Sequence, residues 1–334
     1  MPEWDACVAK WPDCTVFHSA GWARVLSATY GYDPCFVVSG GEREAPAVLP
    51  LMGVGGLGQR RRGVSLPFTD VCEALAPDAG THRALLEAAL ELGRARRWQA
   101  VEVRGGRPFL GDVPAWGCFH EHVLDLTPGP ERLWSALKGP VRTAVRKARA
   151  DGVECRIATD ADAALRYYRL HCATRRRHGV PPQPIRFFRH IQQHIVAAGH
   201  GAVVEGWREG RLAASAVFLR FGRRAVYKFG ASDWRQREQR PSNLVMWEAI
   251  RWHAEQGLEQ LSFGRTDIGE EGLRRFKMGW GARERMAEYF RWELPSGRPL
   301  RRESVGPGLS PRLFRRLPVW ALRLIGEVAY RYMG

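Results

Sequence analysis

Several residues and patterns are scarce in this 334-residue chain, and each absence argues against a class of protein. The seven cysteines are scattered singly without a C-x-x-C pair, which argues against a disulfide framework or a zinc module. No window approaches roughly 18 uncharged apolar residues, so no bilayer-spanning helix is predicted. The first residues lack a basic patch followed by an apolar stretch, so we expect no signal peptide. The resulting expectation is a cytoplasmic protein, either soluble or peripheral on the inner face of the membrane.

Motifs of covalent and metal catalysis are also missing. The sequence contains no H-E-x-x-H, no G-x-S-x-G and no P-loop. The glycines from Gly53 to Gly58 lack the strand–helix context of a dinucleotide loop and the acidic residue that follows it. His190 and His194 have i, i+4 spacing, yet no third ligand accompanies them. We therefore predict neither a metal site nor a bound cofactor.

Lysine is scarce, whereas arginine is abundant. Basic residues number 51 and acidic residues 35, so the formal net charge is +16, and only five of the basic residues are lysines. A GC-rich genome would produce the same skew toward arginine. An excess of positive charge of this size still predicts a polyanionic partner: nucleic acid, nucleotide phosphates or an anionic membrane face.

Hydrophobic periodicity predicts two similar halves. In each half a helix leads into hairpin-linked strands, and a second helix and a strand follow. This order predicts an α/β (α+β) protein of two tandem domains with mixed, mostly antiparallel sheets flanked by helices. We place the domains at 1–127 and 128–300, divided near Pro128-Gly129-Pro130, and a basic amphipathic tail at 301–334.

A single helix predicted over 131–151 carries a basic face. Arg142, Arg146 and Arg149 follow i, i+4, i+7 spacing, and Lys147 lies beside them. Like charges at this spacing repel one another unless an anion lies opposite, so the stripe indicates phosphate binding. A solvated arginine face explains the pattern equally well.

A second candidate region follows the strand predicted over 258–263. Lys277 lies between Phe276 and Trp280, which predicts a cation held against aromatic surface at the mouth of a groove between the halves. Such a cation can stabilise a developing oxyanion or bind phosphate, and the rings can stack on a base. A core aromatic pair with a lysine that reaches toward solvent is the alternative.

Two aspartates and a lysine lie on or after neighbouring predicted strands. Lys228 belongs to the strand predicted over 225–230, while Asp233 and Asp267 follow strand ends. If the three side chains point into one cleft, they can bind and deprotonate an amine nucleophile. Each aspartate by itself is also typical of a turn.

The tail Ser310–Gly334 predicts a basic amphipathic helix. Its apolar stripe consists of Leu313, Leu317, Trp320, Leu324 and Val328. Five arginines surround this stripe: Arg312, Arg315, Arg316, Arg323 and Arg331. Such a helix lies on anionic lipid or docks onto the body of the protein, and the sequence allows both.

Together these segments resemble the FemAB family of tandem GNAT-fold acyltransferases, and most of all its members from exosortase- and exopolysaccharide-associated gene sets. Order and spacing match from about residue 15 to the tail, and the F-K-x-x-W-G element over 276–281 is the most specific piece. The other matching pieces are Phe17-His18-Ser19-Ala20-Gly21-Trp22, Leu66-Pro67-Phe68-Thr69-Asp70, 141–152 with Arg146-Lys147, 173–188 with Gly179, Phe229-Gly230-Ala231-Ser232 with Asn243 and Trp247, and Phe263-Gly264-Arg265.

The resemblance implies two GNAT-like domains that transfer an acyl group to an amine and form an amide bond. The implied donor is an aminoacyl-tRNA, and the implied acceptor is a cell-envelope precursor or another small amine. By the same resemblance, Phe276 and Lys277 lie near the tRNA 3′ end and the reacting ester. The remaining expected donor- or substrate-binding residues are Arg142, Arg146, Lys147, Trp280, Arg265, Lys228, Tyr227, Asn243 and Asp70.

Two other functions stay open. An acyl-CoA donor is one, because polysaccharide-associated members are thought to use it. The segment expected to hold its pyrophosphate, 237–242, has no glycine, which argues against CoA in the second domain. A non-catalytic anion-binding scaffold is the other. The sequence also leaves open whether the protein is a monomer or a dimer.

Overall fold

The computed structural model describes residues 2–40, 45–55, 61–301 and 311–332. The strands are β1 Asp33–Pro34, β2 Val37–Ser39, β3 Ala47–Leu49, β4 Met52–Val54, β5 Arg62–Val64, β6 Ala100–Arg104, β7 Gly117–Asp125, β8 Glu154–Ala158, β9 Gly201–Arg208, β10 Arg211–Phe221, β11 Arg224–Ser232, β12 Gln260–Asp267 and β13 Arg283–Glu293. The α-helices are α1 Pro2–Val8, α2 Ala20–Tyr30, α3 Ala79–Ala95, α4 Arg107–Leu110, α5 Pro130–Ala136, α6 Gly139–Ala150, α7 Ala163–His178, α8 Ile185–Ile191, α9 Pro241–Glu255, α10 Glu271–Met278, α11 Pro311–Arg316 and α12 Val319–Ala329. Short 3₁₀ helices span Val16–His18, Trp234–Gln239 and Tyr330–Tyr332, and a π-helical turn, Gln192–Val196, follows α8.

Eleven strands form one mixed sheet in the order β1-β4-β5-β6-β13-β7-β12-β11-β10-β9-β8, and β2 pairs with β3 separately. Within the described residues the neighbours are antiparallel except for β5–β6 and β11–β12. Each parallel pair is joined by a crossover helix, α3 in the first half and α9 in the second. The prediction of two similar halves with a mixed, mostly antiparallel sheet is therefore confirmed.

The two halves exchange strands at the centre of the sheet. β13, from the C-terminal half, lies between β6 and β7, and β7, from the N-terminal half, pairs with β12. The central strands of the single sheet thus come from both segments. The limits 1–127 and 128–300 stay a prediction along the chain.

Caps and breakers set the helix ends. Ser19 caps α2 by accepting a hydrogen bond from the Trp22 N–H at 3.2 Å, and Gly31 ends the helix in the left-handed region. The prediction of one helix over 131–151 is wrong, because α5 and α6 are separate helices. Pro140 lacks an N–H and its ring would clash with the preceding turn, so a helix can begin there but cannot pass through it.

Helices cover both faces of the sheet. Val203 packs into a core that includes residues of α7 and α8, whereas Val204 packs with residues of α9 on the opposite face. This double covering explains why β9 and β10 are almost continuously apolar and buried. In the described part of the chain, no helix is both long enough and apolar enough to span a membrane.

Candidate functional site

A gap between two strands organises the site. β11 and β12 pair in parallel from Arg224–Gln260 to Val226–Ser262, where this pairing ends. The register of β12 against β7 shifts between Ser262 and Arg265, which marks a β-bulge. Because a bulge bends its strand and re-aims the residues after it, β12 can diverge from β11 here.

Buried charges lie in this gap. The Lys228 ammonium on β11 is 3.0 Å from the Asp70 carboxylate, which belongs to the loop after β5. Burial by itself would raise the pKa of Asp70, but Lys228, with Arg265 and Lys277 beyond it, holds that pKa below its usual range. Burial lowers the pKa of Lys228 although Asp70 opposes the shift. One carboxylate thus faces three cations, which leaves the cluster positive.

Lys277 is buried beneath this cluster. Its side chain is 2% exposed, and its Nζ donates hydrogen bonds to the carbonyls of Gly264 at 2.8 Å and Arg265 at 3.0 Å. Burial lowers the pKa of Lys277 to about 8, although Asp70 and Glu121 oppose the shift. The sequence placed Lys277 at the mouth of a groove. The structure instead places it below the β12 turn, where it fixes the backbone that carries Arg265.

Gly264 suits this turn, because a side chain here would be both strained and crowded. Its φ is +68°, and a Cβ would lie 3.1 Å from the Asp70 carboxyl group. The loop that carries Asp70 is held just as closely. Leu66 and Phe68 both have positive φ, while the Tyr289 hydroxyl donates to the Asp70 carbonyl at 2.6 Å. Tertiary contacts therefore stabilise a strained loop at the centre of the site.

An arginine-lined cavity of about 950 Å³ opens beside this loop, and we call it the arginine cavity. Its charged and aromatic lining residues are Arg62, Arg104, Arg265, Arg291, Arg301, Glu102, Asp267, Trp116, Phe119 and Tyr289. Positive side chains exceed negative ones, and three arginines stack on aromatic rings. Arg291 lies 3.7 Å from the Trp116 centroid and Arg265 lies 4.4 Å from that of Phe119.

The arginines of this cavity differ in how far they are neutralised. Arg104 and Arg291 both bind the buried Glu102 carboxylate. Burial alone would raise the pKa of Glu102, but the two arginines hold it below its usual range. Arg265 donates to the Tyr289 hydroxyl at 3.2 Å and forms no ion pair with any residue that the structure describes. An exposed guanidinium supported by aromatic rings is suited to bind phosphate.

A second cavity, of about 460 Å³, lies next to the first. We call it the acidic cavity, because four carboxylates and two arginines line it: Asp13, Asp70, Glu73, Glu121, Arg224 and Arg285. Both arginines are already paired, Arg224 with Asp13 and Arg285 with Glu121 at 2.7 Å. Carboxylates therefore outnumber arginines in this lining, and Asp70 is itself paired with Lys228.

Glu73 is the carboxylate of this cavity that forms no ion pair with any described residue. Burial raises the pKa of Glu73, although a backbone hydrogen bond from Gly106 opposes the shift. His18 fixes the Glu73 backbone, since its Nε2 lies 2.9 Å from the Glu73 carbonyl. Burial lowers the pKa of His18, so the ring is neutral and donates this bond. A carboxyl group with a raised pKa at a cavity wall is suited to accept a proton.

The two cavities lie on one face of the sheet. Arg265, Glu121 and Arg285 are direct cross-strand neighbours on β12, β7 and β13. Side chains in such a row point to the same side and lie about 5 Å apart at Cβ. Arg265 lines the arginine cavity, and the other two line the acidic cavity. A molecule in one cavity can therefore meet a molecule in the other.

The structure brings part of the predicted site together. Lys277, Lys228, Asp70 and Arg265 form one cluster, and Asp267 lies at the rim of the arginine cavity. Asp233 lies elsewhere: its carboxylate accepts from the Arg235 N–H at 3.0 Å and caps a 3₁₀ helix, the turn-forming alternative.

The predicted aromatic residues lie in the core. Trp280 is 1% exposed, and Phe276 contacts its ring edge-to-face at 6.0 Å. Tyr227 packs against Phe218 and Phe263, and burial raises its pKa to about 12. In the first turn of α9, the half-buried Asn243 donates its N–H to the Arg240 carbonyl at 3.0 Å.

The basic residues of α6 form a separate surface. Arg142 donates to the Ser135 carbonyl at 2.9 Å, Arg146 lies 5.8 Å from the Trp134 centroid, and Lys147 pairs with Asp151 at 2.7 Å. None of them lines the arginine cavity or the acidic cavity.

The architecture is similar to that of known proteins. Residues 136–291 match the family model described as an acetyltransferase (GNAT) domain. A solved structure of FemX superposes with a TM-score of 0.72 at 15% identity, covering 86% of this chain and 95% of that one. The chain has a FemAB-like tandem GNAT fold. A tandem GNAT protein from the clavulanic acid biosynthesis pathway superposes on it with a TM-score of 0.51 at 14% identity, covering 88% of this chain and 94% of that one.

A curated relative is similar over a shorter segment. This is UDP-N-acetylmuramoylpentapeptide-lysine N(6)-alanyltransferase of Weissella viridescens, 28% identical over 112 residues. The match covers 33% of each chain, so it spans about a third of that relative's length. The resemblance to FemAB proteins stated from the sequence is confirmed.

Several residues of this candidate site were not predicted. Glu73 and His18 gave no signal as functional residues, because the acidic cavity forms only when both halves fold together. Glu102 offered a signal, as a charged residue between Val101 and Val103 in an apolar strand. Its partner Arg291 is 189 positions away, and such a pairing is not visible in one sequence.

Proposed function

We propose that the protein is an acyltransferase that forms an amide bond, moving an aminoacyl group from aminoacyl-tRNA to an amine. One observation carries this proposal: a positive cavity and a negative cavity meet on one face of the sheet, beside a buried charge cluster. An anionic donor and a cationic amine are the pair of substrates that such charges favour. The GNAT domain over 136–291 supports the same reaction class.

The arginine cavity receives the phosphate-bearing end of the donor. Arg265 binds a phosphate there, while Trp116, Phe119 and Tyr289 offer rings on which a terminal base can stack. In this proposal Asp267, at the rim, contacts the amine of the transferred aminoacyl group. The arginines of α6, Arg142 and Arg146, with Lys147, contact phosphates farther along the tRNA.

The acidic cavity receives the acceptor. Glu73, which forms no ion pair with a described residue, attracts an ammonium group and removes one of its protons. The freed amine nitrogen attacks the ester carbonyl carbon, the C–O bond to the ribose breaks, and the ribose oxygen leaves with the second proton that the nitrogen gives up as it becomes the amide. Because the ester is already activated, no enzyme-bound intermediate is needed.

Lys277 acts on this reaction through the backbone that it holds. Its charge, with that of Lys228, favours the negative oxygen that develops on the carbonyl. Phe276 and Trp280 pack against each other in the core beside this turn. Asp70 keeps Lys228 in place, and Asp233, Asn243 and Tyr227 serve the local structure.

The printed name of the curated relative suggests the acceptor. That protein is named for the transfer of alanine to a lysine N6 amine of a peptidoglycan precursor. We infer that this chain acts on an amine of a cell-envelope precursor at the cytoplasmic side of the membrane. Two domains, 1–127 and 128–300, jointly form the site.

Mass spectrometry tests the proposal directly. Purified protein is incubated with small amines and cell-wall precursors, first with charged total tRNA and then with acyl-CoA. The expected result is a mass increase of one aminoacyl group with charged tRNA, abolished by ribonuclease and by Glu73→Gln. Calorimetry with an aminoacyl-tRNA mimic and with CoA identifies the bound donor independently.

Two other outcomes identify the alternatives. A product with acyl-CoA in place of charged tRNA makes the protein an acyl-CoA-dependent N-acyltransferase, which the arginine cavity also suits. Salt-sensitive tRNA binding without any product makes it a non-catalytic anion-binding scaffold.

A further inference from the structure

α12, together with the 3₁₀ turn Tyr330–Tyr332 that follows it, carries two apolar stripes on opposite sides. Leu322, Gly326 and Tyr330 follow i, i+4, i+8 spacing, and all three are buried. Trp320, Leu324 and Val328 follow the same spacing two residues earlier and are 66%, 61% and 65% exposed. A shift of two residues is about 200° around a helix, so the two stripes face in opposite directions.

The buried stripe docks α12 firmly onto the body. A Cβ on Gly326 would lie 2.0 Å from the Pro182 carbonyl oxygen, so a side chain at this position would not let α12 approach this loop so closely. The Tyr330 hydroxyl accepts from Arg175 at 2.6 Å and donates to the Pro181 carbonyl at 3.2 Å. The orientation of α12 is therefore set by contacts that do not involve its exposed stripe.

The segment that carries the exposed stripe is rich in positive charge. The segment 311–332 contains five arginines and one acidic residue, Glu327, which pairs with Arg186 at 3.4 Å. Arg315, Arg316, Arg323 and Arg331 are all exposed in this segment, although Arg323 also lies 5.5 Å from the Tyr168 ring centroid. Leu313 on α11, 55% exposed, adds to the apolar surface.

We propose that α11 and α12 dock the folded protein on an anionic phospholipid surface. Large apolar side chains with arginines around them match the acyl boundary and the negative headgroups of such a membrane. A second copy of the chain fits less well, because a self-complementary interface would bring these arginines against their own copies. This inference goes beyond the proposed transfer reaction and does not depend on it.

Vesicle co-sedimentation of the full chain tests this docking. The protein is mixed with vesicles of phosphatidylcholine alone or of equal parts phosphatidylcholine and phosphatidylglycerol. We expect binding to the anionic vesicles and little binding to the neutral ones, weakened by added salt. The double variant Trp320→Ser, Leu324→Ser should bind the anionic vesicles at least about tenfold more weakly, since two apolar side chains are lost.

A matched control distinguishes binding through the exposed stripe from nonspecific adsorption by any exposed aromatic residue. Trp234 is 56% exposed and lies against Arg177 and Arg237, so it has the same chemistry as Trp320 but belongs to neither α11 nor α12. Trp234→Ser should bind vesicles as the wild type does. Equal binding of wild type and the double variant would overturn the proposal, as would no binding to anionic vesicles. A dimer in light scattering that the double variant abolishes would assign the stripe to a second copy instead.

Discussion

The two cavities of this fold share a sheet face but differ in how their charges are compensated. In the arginine cavity, Glu102 neutralises part of the charge of Arg104 and Arg291, and Arg265 is left without an ion pair among the described residues. In the acidic cavity, both arginines are paired and Glu73 is left. Arg265 and Glu73 are thus groups of opposite sign, one in each cavity, that form no ion pair with a described residue. In our proposal these two groups, rather than the total charge of each lining, determine which substrate each cavity receives.

Both cavities depend on the strands that the two halves exchange. β7, β12 and β13 contribute residues to both cavities, and these strands come from both halves of the chain. Neither half alone would form either cavity. Substitutions at the two unpaired charges should therefore have separable effects, with the buried lysine between them affecting both.

The largest effect is expected from Glu73→Gln in the acidic cavity. If Glu73 accepts the proton of the acceptor amine, kcat should fall about 10³-fold, within the range for general bases. The KM for the donor should not change. Because burial raises the Glu73 pKa, wild-type turnover should decline as the pH falls through a value above the ordinary glutamate range. Steady-state kinetics across pH should show that this acid limb is missing in the variant.

The control for Glu73 is another acid of the same cavity. Asp13 is paired with Arg224 and its side chain is 72% exposed. Asp13→Asn should change kcat little. Equal losses in both variants would mean that the cavity needs total negative charge rather than a base at Glu73.

Lys277→Met is expected to have the next largest effect. Methionine keeps the apolar stem but loses the charge and both hydrogen bonds to the β12 turn, so turnover should fall about 10²-fold. Since the Lys277 pKa is about 8, the wild type should lose activity as the pH rises through that value and Lys277 loses its charge. The variant should lack this alkaline limb. If the variant shows the cooperative thermal unfolding of a folded protein and its turnover is unchanged, Lys277 plays no part in the mechanism.

Much of the fold was predictable because its signals are local. Ser19 and Gly31 mark the ends of α2, and Glu209-Gly210 marks the turn between β9 and β10. The break before α6 was missed, although Pro140 was its visible cause. The exchange of β7 and β13 was not predictable, because it pairs residues far apart in the chain.

Part of the candidate site was predictable as well. Asp70, Lys228, Arg265 and Lys277 were singled out, and they lie together because the β11–β12 gap receives the loop after β5. Glu73 was missed, since a carboxylate gains its raised pKa from burial that only the folded chain provides.

Arg265→Gln should produce a smaller and different change, in the arginine cavity. Loss of a charged hydrogen bond to phosphate should raise the donor KM about tenfold to a hundredfold and leave kcat nearly unchanged. Arg283→Gln, an exposed arginine on β13 that lines neither cavity, is the control and should behave as wild type. If Arg265→Gln instead lowers kcat as Glu73→Gln does, the two cavities do not divide donor from acceptor.

The smallest effect is expected on α6. It tests whether positive charge outside the arginine cavity contributes to donor binding. Arg146 and Arg149 on α6 lie 5.8 and 5.9 Å from the same Trp134 ring, but Arg149 is paired with Glu248 at 2.8 Å. If α6 contacts tRNA phosphates, Arg146→Ala should weaken tRNA binding severalfold and lower the slope of log K against log salt by about one. Arg149→Ala should change neither, because its charge is already compensated. Identical slopes for wild type and Arg146→Ala, measured by fluorescence anisotropy, would confine donor binding to the arginine cavity, where a donor as short as acyl-CoA is sufficient.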